Sequence, residues 1–365
     1  MNTPSKPQKS KEFLETRSIS ADYALMLSAP CTVAVYRYGA KALFLIILSV
    51  AVCAFCRKLG GLLLRVEAPL RDFSTVVTGA IIALLLPASA DVPMVLCAGI
   101  FAVVVCILPF GTARNAVFSP AAAAICFLSV CWGDKMFSYP ALGADDYFAA
   151  VREGTSITKM LIQNNSIGRN PAMLLEVLTG DVPSAIGAGC TLALLGALIY
   201  LIIRRPKNSV ASLCFLLSAS LMALVFPRVS TGRLISLVME LCGGMLLFSA
   251  IFFVSNPFIM PKRLLSRAIW GFAGGIICML VRYVSSWEEA VCFGILIMAA
   301  TAGFFDSLPL TPREKKRIAE SEPYVEIVKS ESHEKEVAFN AVSMEICPQK
   351  PTWVRPSQLY GRRGR

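Results

Sequence analysis

Charge is scarce in this chain: Asp, Glu, Lys and Arg together make up 16% of 365 residues, and there is one histidine, His333. A soluble domain carries nearer a quarter of its residues charged, so an ordinary water-exposed surface is excluded over most of the length. With one His and a single Cys53-Ala-Phe-Cys56 pair, the chain does not assemble a metal site of ordinary spacing. The glycine signature of a dinucleotide-binding strand–helix turn is missing, and so are cysteines at iron–sulfur spacing. The chain therefore does not by itself take electrons from a nicotinamide or an iron–sulfur protein. The first twenty residues hold no apolar run behind a basic start, which predicts no cleaved signal peptide. Thirteen cysteines are present, but most stand singly in apolar runs (Cys31, Cys97, Cys126, Cys190, Cys214, Cys278), where a thiol behaves as a small hydrophobe.

What is abundant is apolar surface: 56% hydrophobic residues and a mean hydropathy of +0.64. The most informative stretch runs from Asp72 to Ala121. Two apolar spans, Thr75 to Pro87 and Pro93 to Pro109, flank a short polar turn, with Thr78, Gly79 and Gly99 inside them. A Gly-Thr-Ala-Arg-Asn loop follows, and Ser119-Pro120 opens another apolar run. Interrupted, glycine-bearing helices beside polar loops are what a membrane protein uses to hold a ligand at membrane depth. About twenty apolar residues cross a bilayer. On that length the sequence predicts an all-α, polytopic membrane protein of about ten transmembrane helices: 21–38, 40–56, 75–90, 93–110, 119–133, 185–203, 209–226, 234–254, 268–284 and 289–306. The first is interrupted by Pro30 and Arg37.

Charge placement orients them. With Lys6, Lys9, Lys11 and Arg17 inside, the inner loops carry Arg57-Lys58, Arg114, Arg204-Arg205-Lys207, Lys262-Arg263-Arg267 and the run from Arg313 to Arg317. The outer loops carry few basic residues, as the positive-inside rule requires, and both termini fall in the cytoplasm. The net charge of +11 is thereby assigned to membrane topology rather than to nucleic acid. Residues 1–20 become a cytoplasmic segment, 21–133 and 185–308 two five-helix repeats of inverted sense, 134–184 an extracytoplasmic loop, and 309–365 a cytoplasmic disordered tail.

Several motifs in one order carry a resemblance. Asp72-Phe-Ser-Thr-Val-Val-Thr-Gly with Leu85-Leu86-Pro87 is similar to DGSAVVTGLLLALTLP, and Gly111-Thr-Ala-Arg-Asn115 with Phe118-Ser-Pro-Ala121 follows GGxGxNxFNPA. Leu178-Thr-Gly180-Asp-Val-Pro183-Ser-Ala-Ile-Gly187 follows LGNVPGSIG, and Gly243-Gly244 with Phe252-Phe-Val-Ser-Asn-Pro257 follows GG…FMATDP. These are motifs of the RnfD/NqrB family of flavin-carrying membrane subunits, and the chain resembles RnfD more closely. The resemblance covers roughly residues 20 to 308. It implies a multi-pass subunit of the bacterial inner membrane, in an Rnf-like, ion-translocating ferredoxin:NAD⁺ oxidoreductase complex with other membrane and peripheral subunits as partners. It also implies FMN, esterified to a loop Thr at a DxxSGAT motif. Aligned from Val151, the acceptor is Thr155, and the family's Ser, Gly and Ala are Arg152, Glu153 and Gly154 here. Arg152 can pair with a phosphate and backbone N–H groups near Gly154 can cradle it. The isoalloxazine would supply the chemistry, so no side chain is assigned a catalytic role.

A second flavin or a quinone-like ring is expected between the halves, near Thr78, Gly79, Asn115, Gly243 and Asn256; helix packing through the same small residues is the alternative. Glu240 and Arg282 stand at membrane depth, where an ionisable group marks either an intramembrane pair or an ion path. Two other functions remain compatible with the sequence: a small-solute transporter or channel, and a flavin-free scaffold of the same fold.

Overall fold

The structure, a computed structural model, describes residues 6–63, 73–110, 117–141, 154, 171–228, 232–243, 245–285 and 290–307. Side chains are described from Arg17 in the first of these stretches and from Leu175 in the fifth. Every element among these residues is helical. In chain order the helices are α1 (Lys6–Leu63), α2 (Phe73–Leu85), α3 (Val92–Ile100), α4 (Pro120–Cys131), α5 (Gly133–Met136), α6 (Pro171–Thr179), α7 (Thr191–Arg204), α8 (Pro206–Val225), α9 (Arg233–Cys242), α10 (Leu246–Ser249), α11 (Leu264–Val284) and α12 (Ala290–Ser307). α3 runs on as a π-helical turn, Phe101–Val105, and α10 as another, Ala250–Val254. Among the described residues, five spans are long and apolar enough to cross a membrane, and a sixth arises if α9 and α10 with its π turn, bent by 58°, are taken as one. Shorter apolar helices, α2, α4 and α7, pack among them. The protein is thus a polytopic, all-α membrane protein.

The surface agrees with that reading. Leu192, Leu195, Ile199 and Ile203 recur every three or four residues on α7 and all are exposed. A stripe of large aliphatic side chains at that spacing marks a face made for hydrocarbon.

The break between the first two apolar segments lies at Gly39, between 38 and 40 as expected; its φ of 60° and ψ of −142° fall outside the helical region, so α1 has two arms. Other boundaries move. Pro30 is carried within the first arm without ending it. That arm, Lys6 to Tyr38, is about 50 Å long at about 1.5 Å per residue, well beyond the ~30 Å of a bilayer core. Part of the segment 1–20, expected as a polar lead-in, is therefore the start of a helix. Helix formation in the sixth segment begins at Thr191 rather than 185, because Ile186 and Gly187 donate their N–H groups to Leu86 O (3.0 Å) and Leu84 O (2.6 Å). Those bonds satisfy carbonyls that α2 leaves open when it stops before Pro87.

Close helix contacts come from glycine. Gly79 lies so near α1 that a β-carbon there would stand 2.9 Å from Val50 Cα, and Ser49 Oγ donates to Gly79 O across the same contact (2.7 Å). On α11, Gly271 and Gly275 sit one turn apart against the α8 backbone at Ala211 and Phe215. Four-residue spacing of small residues is the pattern by which membrane helices approach backbone to backbone.

Two ion pairs tie distant elements together. Arg205 Nε donates to Asp22 Oδ2 (2.7 Å) and its Nη2 to Ser18 Oγ (3.1 Å), joining the first arm of α1 to the α7–α8 corner. At the other end of the same arm, Arg37 donates to Thr179 O (2.7 Å) and Gly180 O and pairs with Asp181 (2.9 Å). Gly180 is the left-handed residue (φ 88°) that closes α6, with the N–H groups of Gly180 and Asp181 both reaching Glu176 O at 2.7 Å. Arg37 thus neutralises the open carbonyls of a helix C-terminus. Arg37→Ala is expected to free α6 from α1, seen as faster proteolysis after residue 171 with the remaining bundle intact.

Candidate functional site

A cavity lies where the first arm of α1, the start of α2, the start of α4 and the π turn after α10 converge. It contains about 570 Å³ of empty space, its open mouth included. Ile19, Val77, Ile81, Phe252, Phe258 and Ile259 supply its apolar wall, and Ser20, Tyr23, Ser74, Thr78, Ser119 and Asn256 its polar groups. Among the described residues, no lining side chain is charged.

The hydrogen bonding around it fixes what those groups offer. Thr78 Oγ1 donates back to Ser74 O (2.9 Å), so its remaining capacity is as an acceptor. Asn256 Oδ1 accepts from the Phe258 N–H (3.1 Å), which leaves the amide NH₂ as the donor to a ligand. Ser255 Oγ donates to Ile251 O, so the 2.5 Å bond between Tyr23 and Ser255 has the phenol as donor. That bond fastens α1 to the end of the π turn at the cavity wall. An acceptor and a donor beside apolar walls match the polar edge of a heterocycle, whose imide presents N–H beside C=O.

The expected site residues separate on this geometry. Thr78 and Asn256, 178 positions apart by number, are brought to the one cavity. Gly79 is not: it faces the second arm of α1 and serves packing. Gly243 is elsewhere too, with its carbonyl held by Arg282 Nη2 (3.0 Å). Asn115 lies outside the described residues, as do Arg152, Thr155 and Asp72. Gly154 is described, and its N–H donates to Tyr139 O (2.8 Å). A β-carbon on Gly154 would collide with the Pro183 ring, so the glycine is required by contact with the Gly180–Pro183 turn. Ser20, Tyr23, Ser74 and Ser119 were not singled out by sequence; the hydroxyls of Ser20 and Tyr23 beside Asp22 were the available signal.

Glu240 and Arg282 form the intramembrane pair, with Arg282 Nε 3.2 Å from Glu240 Oε2 and both side chains almost wholly buried. A third member was not foreseen. Arg228 Nε stands 3.5 Å from Glu240 Oε1, its Nη2 donates to Arg282 O (2.6 Å), and its guanidinium lies 4.5 Å over the Tyr283 ring.

Residues 3–314 match the model of the NQR2, RnfD, RnfE family. The chain belongs to that family. Among curated relatives, it is 28% identical over 289 residues to a subunit of the Na(+)-translocating ferredoxin:NAD(+) oxidoreductase complex of Acetobacterium woodii, covering 78% of this chain and 86% of that one. It is 26% identical over 319 residues to a subunit of the ion-translocating oxidoreductase complex of Halorhodospira halophila, covering 77% and 87%. The corresponding subunit of the proton-translocating ferredoxin:NAD(+) oxidoreductase complex of Clostridium ljungdahlii is 22% identical over 287 residues, covering 77% and 86%. Relatives named for sodium and for protons are thus both similar to this chain, so family membership does not select the ion.

Proposed function

We propose that this chain is the membrane subunit of an Rnf-like ion-translocating oxidoreductase complex, and that it carries flavin for electron transfer across the membrane. The supporting observation is the family match over residues 3–314 together with an uncharged cavity, lined by apolar side chains and by Thr78 and Asn256, between α1, α2, α4 and the π turn. A flavin supplies one- and two-electron transfer; the protein supplies its position and surroundings. Thr155 is the residue proposed to hold FMN as a phosphoester, with Arg152 beside the phosphate; the Gly154 N–H, expected as a further donor, is taken by Tyr139 O. Thr78 and Asn256 are proposed to bond the polar edge of a second, non-covalent flavin or quinone-like ring. The other subunits of such a complex are the partners, because this chain alone holds no motif for nicotinamide or ferredoxin.

Ultraviolet fluorescence of the denatured, electrophoresed polypeptide tests the covalent flavin. The expected result is a fluorescent band that Thr155→Ala abolishes. Signal persisting in Thr155→Ala moves the ester to Ser156 or Thr158, and a dark wild-type band favours the flavin-free scaffold.

The proposed setting is the bacterial inner membrane, crossed about ten times in two inverted five-helix repeats, with both termini cytoplasmic and residues 134–184 outside. The contacts at two ends of the bundle support the repeat: the end of α2 meets residues 186–187 before α7, and the π turn after α10 meets Tyr23 near the start of the first apolar segment. A membrane-impermeant thiol reagent applied to cells is expected to label a cysteine introduced at Asn164 and to miss one at Ser332. The reverse pattern overturns the orientation.

A further inference from the structure

The break between α9 and α10 collects oxygen atoms. α9 ends at Cys242, and the backbone carbonyls of Glu240 and Gly243 both accept from the buried Arg282 guanidinium. The Glu240 carboxylate, one turn back from the break, is 1% exposed and faces the same place. Helix C-terminal carbonyls carry partial negative charge, and half-helix ends of this kind coordinate alkali cations in transporters. A buried carboxylate beside them completes an all-oxygen donor set for a hard monovalent ion.

Arg282 occupies that place. Its Nη1 donates to Glu240 O (3.0 Å), its Nη2 to Gly243 O (3.0 Å), and its Nε lies 3.2 Å from Glu240 Oε2. One fully buried guanidinium thus fills the position where three oxygens from two residues converge. Arg228 stands behind it, 3.5 Å from the other carboxylate oxygen. Two guanidinium groups against one carboxylate give the cluster a net positive charge, which repels a mobile cation that approaches the break.

We propose that the α9–α10 break is an alkali-cation site plugged by the chain's own Arg282, with Arg228 as its electrostatic guard. Its corollary, which rests on the proposed ion-translocating complex, is that the coupling ion does not cross the membrane through this break. The first half needs no such plug, because the carbonyls of Leu84 and Leu86 are already taken by the peptide N–H groups of residues 187 and 186.

The test uses the full-length purified protein in lipid nanodiscs, with thermal unfolding measured in sodium, lithium, potassium or N-methylglucamine chloride at one ionic strength. It is independent of flavin content and of any redox partner, so it succeeds or fails separately from the proposed function. The wild-type midpoint is expected to be the same in all four salts. Arg282→Ala is expected to unfold at a lower temperature, with the midpoint raised several degrees by sodium or lithium and by methylguanidinium. Arg282→Lys, which keeps a tethered cation, is expected to be indifferent to salt. Arg228→Gln/Arg282→Ala, which removes the guard as well, is expected to show the largest sodium dependence. A wild-type midpoint that rises with sodium and loses that rise in Glu240→Gln overturns the plug. An Arg282→Ala protein that folds and ignores every cation overturns the site. Where Arg282→Ala fails to accumulate, Arg228→Gln/Glu240→Gln/Arg282→Ala, which removes all three charges of the cluster and so strands none, is expected to restore accumulation; failure of that rescue also overturns the proposal.

Discussion

Thr78→Leu is expected to leave the protein folded in the membrane but to empty its cavity, whereas Gly79→Leu, one residue later, is expected to keep it from accumulating. The two side-chain positions lie about 100° apart around the α2 axis and meet different neighbours. Thr78 lines the cavity, where a leucine has room to fill space and removes the acceptor beside Asn256. Loss of that hydrogen bond and of the space for a ring is expected to lower ligand retention at least tenfold, about 1.4 kcal/mol, the order of one hydrogen bond left unmade. At Gly79 the nearest obstacles are backbone: Val50 Cα at 2.9 Å and Ser49 O at 3.1 Å from an added β-carbon. Backbone does not turn aside as a flexible side chain does, so overpacking there is expected to exceed the usual ~1–3 kcal/mol. It would also separate Ser49 Oγ from Gly79 O, depriving the buried Ser49 hydroxyl of that acceptor. Membrane accumulation measured by immunoblot, and bound flavin extracted per mole of protein, distinguish the two outcomes. If Gly79→Leu accumulates normally and only loses flavin, the glycine belongs to the cavity and this geometry is wrong.

That contrast shows where sequence was sufficient. Apolar segments are a local property, and each expected span is helical over most of its length, because twenty apolar residues without water have no other way to satisfy their backbone. The broken helices were legible for the same reason: Pro87, Gly243 and Asn256-Pro257 are local signals. Which small residue faces a cavity and which faces a neighbouring helix depends on rotation about the α2 axis, set by α1 and by nothing local. Hence Thr78 and Gly79 were expected together and are found apart. Glu240 and Arg282 stood out individually as charges at membrane depth. That they meet, and that Arg228 joins them, depends on α9, α11 and the end of α8 closing on one point. Arg37 was legible as an interruption of an apolar span, but its function is to cap α6, a partner more than 140 positions away.

Asp22 was not singled out at all, because an acid near the start of an apolar segment reads as an interfacial residue. Its burial gives it a larger effect. Its side chain is 12% exposed, and Arg205, at 2.6 Å, is 23% exposed. Tyr200 Oη also reaches its Oδ1 (3.4 Å), and Arg204 lies 3.6 Å from that same oxygen. Asp22→Ala leaves Arg205 with Ser18 alone among these partners, in a setting where its charge has lost most of its water. Breaking a buried pair from one side costs about 3–5 kcal/mol, and the residual exposure of Arg205 puts the expected loss near the lower end, about 3 kcal/mol. The loss reaches the cavity, because Tyr23 is the next residue and its bond to Ser255 fixes the wall that Ser20 and Tyr23 contribute. Asp22→Ala is therefore expected to lower both thermal stability and retention of the bound ring, with Asp22→Asn intermediate. Removing both charges as Asp22→Leu/Arg205→Met is expected to recover most of the stability, since the penalty comes from the stranded guanidinium rather than from the absent bond. Thermal unfolding of the three variants in nanodiscs decides it. A double variant no more stable than Asp22→Ala would show that the pair positions α1 by its geometry rather than by neutralising Arg205.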